Sequence, residues 1–61
     1  MTPLMIAAAA GHTNAVRLLL GHGARPGFSA GYGKTPLSLA LAGGHQDVAD
    51  ILKEYAAFHN D

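Results

Sequence analysis

The sequence predicts an all-α fold of helix-turn-helix repeats, stacked as a short solenoid and joined by a β-turn or hairpin-like loop. Three observations predict it. Thr2-Pro3-Leu4 returns as Thr35-Pro36-Leu37, an interval of roughly 33 residues that is typical of helical repeats. The match continues in register without a gap, pairing Ala7 with Ala40, Ala9 with Ala42, Gly11-His12 with Gly44-His45, Leu19 with Leu52 and Ala24 with Ala57. Each copy then carries apolar residues at helical spacing, Val16, Leu19 and Leu20 in the first and Val48, Ile51, Leu52 and Tyr55 in the second.

Each element has a local cause. Thr2 and Thr35 are good N-caps, because a threonine hydroxyl accepts from an unpaired amide of the first helical turn. The prolines that follow lose nothing at the first helical position, where an N–H would have no intrahelical partner. Helices are therefore expected at Pro3–Ala10 and Pro36–Ala42, halted by Gly11 and by Gly43-Gly44, since glycine accepts the left-handed backbone that closes a helix. Their alanines favour the helix and let neighbours approach closely. Second helices are expected over residues 14–20 and 47–55, with Asn14 and Asp47 in or near the first turn and Gly21 and Gly23 ending the earlier one. Arg17, Asp50, Lys53 and Glu54 point to water. Residues 23–34 hold four glycines and a proline, which forbid a helix and predict a tight turn around Gly31-Tyr32-Gly33 projecting from the helices.

Composition narrows the function. The 61 residues allow one small domain, which buries only about 60% of its unfolded surface and has little room for a deep cleft. Without cysteine there is neither a disulfide framework nor a Cys-ligated zinc site, and an intracellular, cytoplasmic setting is expected. The formal charge of +0 offers no basic field for nucleic acid and no polybasic patch for a membrane. The apolar run Leu4–Ala10 has no preceding Lys or Arg, and its counterpart lies mid-chain, so it does not read as a signal peptide. A charged fraction of 13% suggests surfaces that something else covers.

Thr-Pro-Leu at a helix start, Gly-His between paired helices, Gly-Ala after the second and then a turn-rich arm together resemble the ankyrin repeat. The resemblance covers almost the whole chain. Residues 1–34 look like one repeat lacking its N-terminal arm, with the connecting loop at 23–34. Residues 35–61 look like a second that resembles a C-terminal cap, because Lys53-Glu54 stands where the first copy has Leu20-Gly21 and Ala56-Ala57 where it has Gly23-Ala24. On this reading the chain is the C-terminal part of a longer array. The family's usual His after Thr-Pro-Leu is Met5 in one copy and Ser38 in the other, and Arg25, Gly27, Ala30 and Tyr32 replace usual acidic or Asn residues of the arm. A looser turn network is expected.

Several motifs point elsewhere and fall short. Gly33-Lys34-Thr35 has the end of a phosphate-binding loop, but Phe28 occupies its first-glycine position and Pro36 removes an amide from the helix start. His12 and His45 are repeat equivalents, best read as bonding to nearby backbone, while His22 and His59 have no helical pairing with them; no metal is expected. The serines, Ser29 and Ser38, lack a nucleophile's partners, and Asp47 and Asp50 read as a solvated helix face. No catalytic residue and no cofactor are assigned.

The expected function is a non-catalytic protein-interaction scaffold; the alternative is a structural capping segment of a larger protein or enzyme. The resemblance implies contacts at the turn tips and the inner faces of the short first helices. These positions are Gly31, Tyr32 and Lys34 at the tip, and Met5, Ala9, Ala10, Ser38, Ala42 and Gly43 along the helices. Tyr32 is the best single anchor, as an aromatic with a polar handle, unless it lies flat on its own loop. Further repeats are expected against the N-terminal face, or self-association through it, with Leu4, Ile6, Val16 and Leu19 contributing.

Overall fold

The computed structural model describes residues 2–27 and 31–59, so the middle of the 23–34 connection lies outside the described residues. The described elements are α1 (Pro3–Ala10), α2 (Thr13–Gly21), α3 (Pro36–Ala42) and α4 (Gln46–His59). They form two helix pairs side by side, with α1 packed on α3 and on α2, α3 on α4, and α2 on α4.

Both short helices start as their sequence dictates. The Thr2 hydroxyl accepts from the Met5 amide at 3.2 Å, and Thr35 accepts from the Ser38 amide at 3.1 Å. Ser38 returns the favour in a capping box: its Oγ accepts from the Thr35 amide at 2.9 Å. Three helices close in the same way, by a pair of bonds around a left-handed glycine. In α1, Gly11 (φ 74°) and His12 donate to Ala8 and Ala7; in α3, Gly44 (φ 75°) and His45 donate to Leu41 and Ala40. In α2, Gly23 (φ 96°) and Ala24 donate to Leu20 and Leu19.

The long helices differ from expectation at their ends. α2 runs through Gly21, and the left-handed turn falls at Gly23. α4 continues to His59, because Ala56, a strong helix former, replaces the glycine that ends α2.

The core lies between the pairs. Leu4, Met5, Ala7, Ala8, Val16 and Leu20 of the first repeat meet Ala40, Val48, Ala49, Ile51 and Leu52 of the second. Each of the larger side chains contributes about 1.5–3 kcal/mol when fully withdrawn from water. The alanines admit close helix approach, and Ala8, Ala40 and Ala49 are fully covered.

A histidine locks the two repeats. The His45 ring lies across Gly11 and Gly43, and its Nε2 is 3.2 Å from the Ala9 carbonyl of α1. A Cβ on Gly11 would stand 2.5 Å from Nδ1 of that ring, and one on Gly43 would stand 2.7 Å from its Cδ2. A second tie joins the surface edges, where the Thr13 hydroxyl of α2 donates to Asp47 of α4 at 2.9 Å.

Candidate protein-interaction surface

The turn tip is built by three consecutive residues with positive φ: Gly31 (94°), Tyr32 (55°) and Gly33 (74°). The Lys34 amide donates to the Gly31 carbonyl at 3.0 Å and closes the turn. Positive φ at both central residues is the signature of a type I′ turn, which favours Gly, Asn and Asp there. A bulky residue in that conformation is an outlier. Tyr32 nevertheless holds it while its side chain is fully exposed, so the ring does not lie on its own loop.

Ser38 ties this tip to α3. Its hydroxyl lies 3.0 Å from the Thr35 carbonyl and 3.3 Å from the Gly33 carbonyl, besides accepting from the Thr35 amide. The turn network around the second repeat is thus supplied by serine. In the first repeat, Met5 occupies the equivalent position and is fully buried.

That burial corrects one expected contact residue: Met5 is core, because the second repeat covers it. Ala10, Ser38, Ala42 and Gly43 are exposed with Gly31, Tyr32 and Lys34, and Ala9 is partly covered. Gly43 and Ala9 adjoin one another, since a Cβ on Gly43 would approach the Ala9 carbonyl to 3.2 Å.

The N-terminal face also differs from expectation. Val16 is fully buried, and Leu4 is buried with an edge at the floor of a pocket on this side. The exposed large apolar residues of the first repeat are Ile6 and Leu18, with Pro3 exposed and Leu19 partly so. A shallow apolar pocket of about 260 Å³ lies on this side, lined by Thr2, Pro3, Leu4, Leu19, Ala24 and Arg25.

The two equivalent histidines have different fates. His45 makes the inter-repeat bond, whereas the His12 ring is exposed. The Asp47 carboxyl is held below its ordinary range, first by the Thr13 hydroxyl and then by the Val48 amide, which donates to it at 2.9 Å. This inter-repeat bond was not legible in the sequence, because Thr13 and Asp47 are not repeat equivalents. Among the described residues no helix is long and apolar enough to cross a membrane.

Known proteins bear the same pattern. A family profile described as ankyrin repeats (3 copies) matches residues 1–61. The human ARF GTPase-activating protein GIT2 is 43% identical over 53 residues, covering 87% of this chain and 7% of that protein. Human ARF GTPase-activating protein GIT1 matches with the same identity and coverage. The ankyrin repeat protein YahD of Escherichia coli (strain K12) is 51% identical over 37 residues, 61% of this chain and 18% of its own length. The chain therefore spans only a small part of the curated relatives it matches, and no solved structure matches it significantly. Two helix pairs, each opened by a threonine cap and locked to one another by a Gly-His contact, together with a profile match along the full sequence, place this chain in the ankyrin repeat family.

Proposed function

We propose that this chain is a non-catalytic protein-interaction module, the C-terminal part of a longer ankyrin array, that presents the turn tip and the adjoining inner helix surface to a partner protein. The observation that carries this is Tyr32. A tyrosine in left-handed backbone costs on the order of 1–2 kcal/mol, and this one recovers none of it by packing, because its side chain is fully exposed. Strain retained without a structural return is a reason to look for recognition. Lys34 beside it adds a cation, and Ser38, Ala10, Ala42 and Gly43 extend the surface with little relief.

Selection of a displayed peptide library on the immobilised chain tests this. Enriched peptides are expected to lose at least tenfold in affinity on Tyr32→Ala, a change that should leave the melting temperature unaltered. Peptides that bind both forms equally would remove Tyr32 and the tip from the proposal.

The second reading, a structural cap, is favoured by Ser38 and Lys53 at positions where the first repeat buries Met5 and Leu20. Removing residues 35–61 from a longer array separates the readings. Loss of folding with affinity retained in the remaining fold indicates a cap, and selective loss of binding indicates a contact surface. The apolar N-terminal face is read as the seat of a further repeat.

A further inference from the structure

The charges of this chain are segregated along its length. Arg17, Arg25 and Lys34 precede every carboxylate, while Asp47, Asp50, Glu54 and Asp61 follow, with Lys53 among them. The formal charge of +0 therefore hides +3 over residues 1–46 and −3 over residues 47–61.

The fold separates the two signs in space. The described carboxylates all lie on α4, which packs on α2 and α3. Asp47 is engaged by the Thr13 hydroxyl and the Val48 amide, and Asp50 accepts from Gln46 Nε2 at 2.9 Å. Both stand at the start of α4, after α3 has carried the chain about 10 Å away from the turn tip. That distance exceeds the Debye length of about 8 Å at physiological ionic strength, so these acids do little to offset Lys34. Glu54 follows Lys53, which cancels most of its charge.

The inner layer has no such balance. α1 and α3 contain no charged residue. At their first turns stand two exposed cations: Lys34, just before the Thr35 cap, and Arg25, which lines a pocket with Thr2 and Pro3. Neither has a carboxylate partner among the described residues. α1 and α3 pack side by side, and packed helices stand about 8–10 Å apart. The two cations thus flank one end of the inner layer at a spacing of that order, with the exposed Tyr32 ring beside Lys34.

We propose that this end of the inner layer takes an extended acidic protein segment, with two carboxylates two or three residues apart, one for Lys34 and one for Arg25. The inference rests on the tip being a contact surface. An extended chain rises about 3.3 Å per residue, so such a pair spans about 7–10 Å and matches the cations. Arg25 can take its carboxylate through two parallel N–H bonds, whereas Lys34 acts as a point charge. Nucleic acid fits poorly, because phosphate-driven affinity is built from about 6–10 contacts and this surface offers far fewer cations.

A displayed random-peptide library selected on the full chain tests this, with affinities of the enriched peptides measured at low and at physiological salt. Enriched sequences are expected to carry Asp or Glu two or three positions apart, and to bind more weakly as salt rises. An exposed charge pair is worth up to about fivefold in affinity, so Arg25→Glu/Lys34→Glu, which turns two attractions into repulsions, should weaken binding by at least about tenfold. The same variant should prefer peptides whose acids are replaced by Lys, a rescue that an unfolded variant could not give. Weakened binding without that rescue would overturn the charge pairing. Tyr32→Asn, which suits the left-handed turn better than tyrosine, separates the inference from the reading beneath it. If binding survives Tyr32→Asn undiminished, the tip is not the contact surface and both fall. If Tyr32→Asn abolishes binding but the enriched peptides show no acidic pair, or the double reversal binds them unchanged, the tip stands and the acidic partner falls. A single-stranded oligonucleotide that competes as well as an acidic peptide of equal charge would overturn it too. Absence of any enriched peptide would overturn both readings.

Discussion

Gly11 and Gly44 offer a controlled comparison within one molecule. They are repeat equivalents, each closes a short helix, and their φ values are 74° and 75°. They differ in what a side chain would meet. At Gly44 a Cβ finds nothing within 4 Å, whereas at Gly11 it falls 2.5 Å from Nδ1, 2.6 Å from Cε1 and 2.9 Å from Cγ of His45. Gly44→Ala should cost about 1–2 kcal/mol, the left-handed penalty alone. Gly11→Ala carries that penalty and must also displace the ring, which adds overpacking of about 1–3 kcal/mol. The displaced ring also gives up the 3.2 Å contact with the Ala9 carbonyl, a bond of about 1 kcal/mol net. A domain of this size has a total stability on the order of 3–9 kcal/mol, so the first variant should remain folded and the second should be close to unfolding. The difference between the two variants is then about 2–4 kcal/mol, and at about 4–8 °C per kcal/mol their melting temperatures should differ by roughly 8–32 °C. Thermal and urea unfolding followed by circular dichroism measures both. In a His45→Ala background the ring is gone, and the two glycine substitutions should become equal. Equal effects in the original background would refute the assignment of His45 as the lock between repeats.

Two further predictions concern polar ties. Ser38→Ala removes the hydroxyl that joins the Gly33 and Thr35 backbone, so hydrogen exchange at the Thr35 and Lys34 amides should accelerate while α1 and α2 are unaffected. Unchanged exchange at those amides would show that Ser38 does not hold the tip. Thr13→Val removes the largest influence that lowers the Asp47 pKa, so the Asp47 titration followed by NMR should move upward. Because that pKa is depressed in the fold, its contribution to stability is present above the ordinary carboxylate pKa and lost as pH falls through the folded value. Acid unfolding of Thr13→Val should accordingly show a weaker pH dependence below about pH 4. An unshifted Asp47 would mean that Thr13 does not reach it in solution.

The sequence by itself determined the elements. Thr-Pro at a helix start and Gly-His at a helix end act within one turn of backbone, through a hydroxyl reaching an amide and a glycine reaching left-handed space. Pro3–Ala10 and Pro36–Ala42 therefore came out with the boundaries they have. The apolar spacing of Val48, Ile51 and Leu52 likewise marked the buried side of α4. Tertiary structure decided what each face meets, because burial depends on a neighbour and local signals in the two copies are nearly the same. Met5 reads like an inner-surface residue and Leu4 and Val16 like an open face, yet all three are covered. Leu18 and Ile51 occupy one repeat position with the same helical spacing, but only Ile51 has a repeat packed before it. His12 and His45 are the plainest case. Each follows a left-handed glycine, and only the one with a preceding repeat finds a carbonyl to bind.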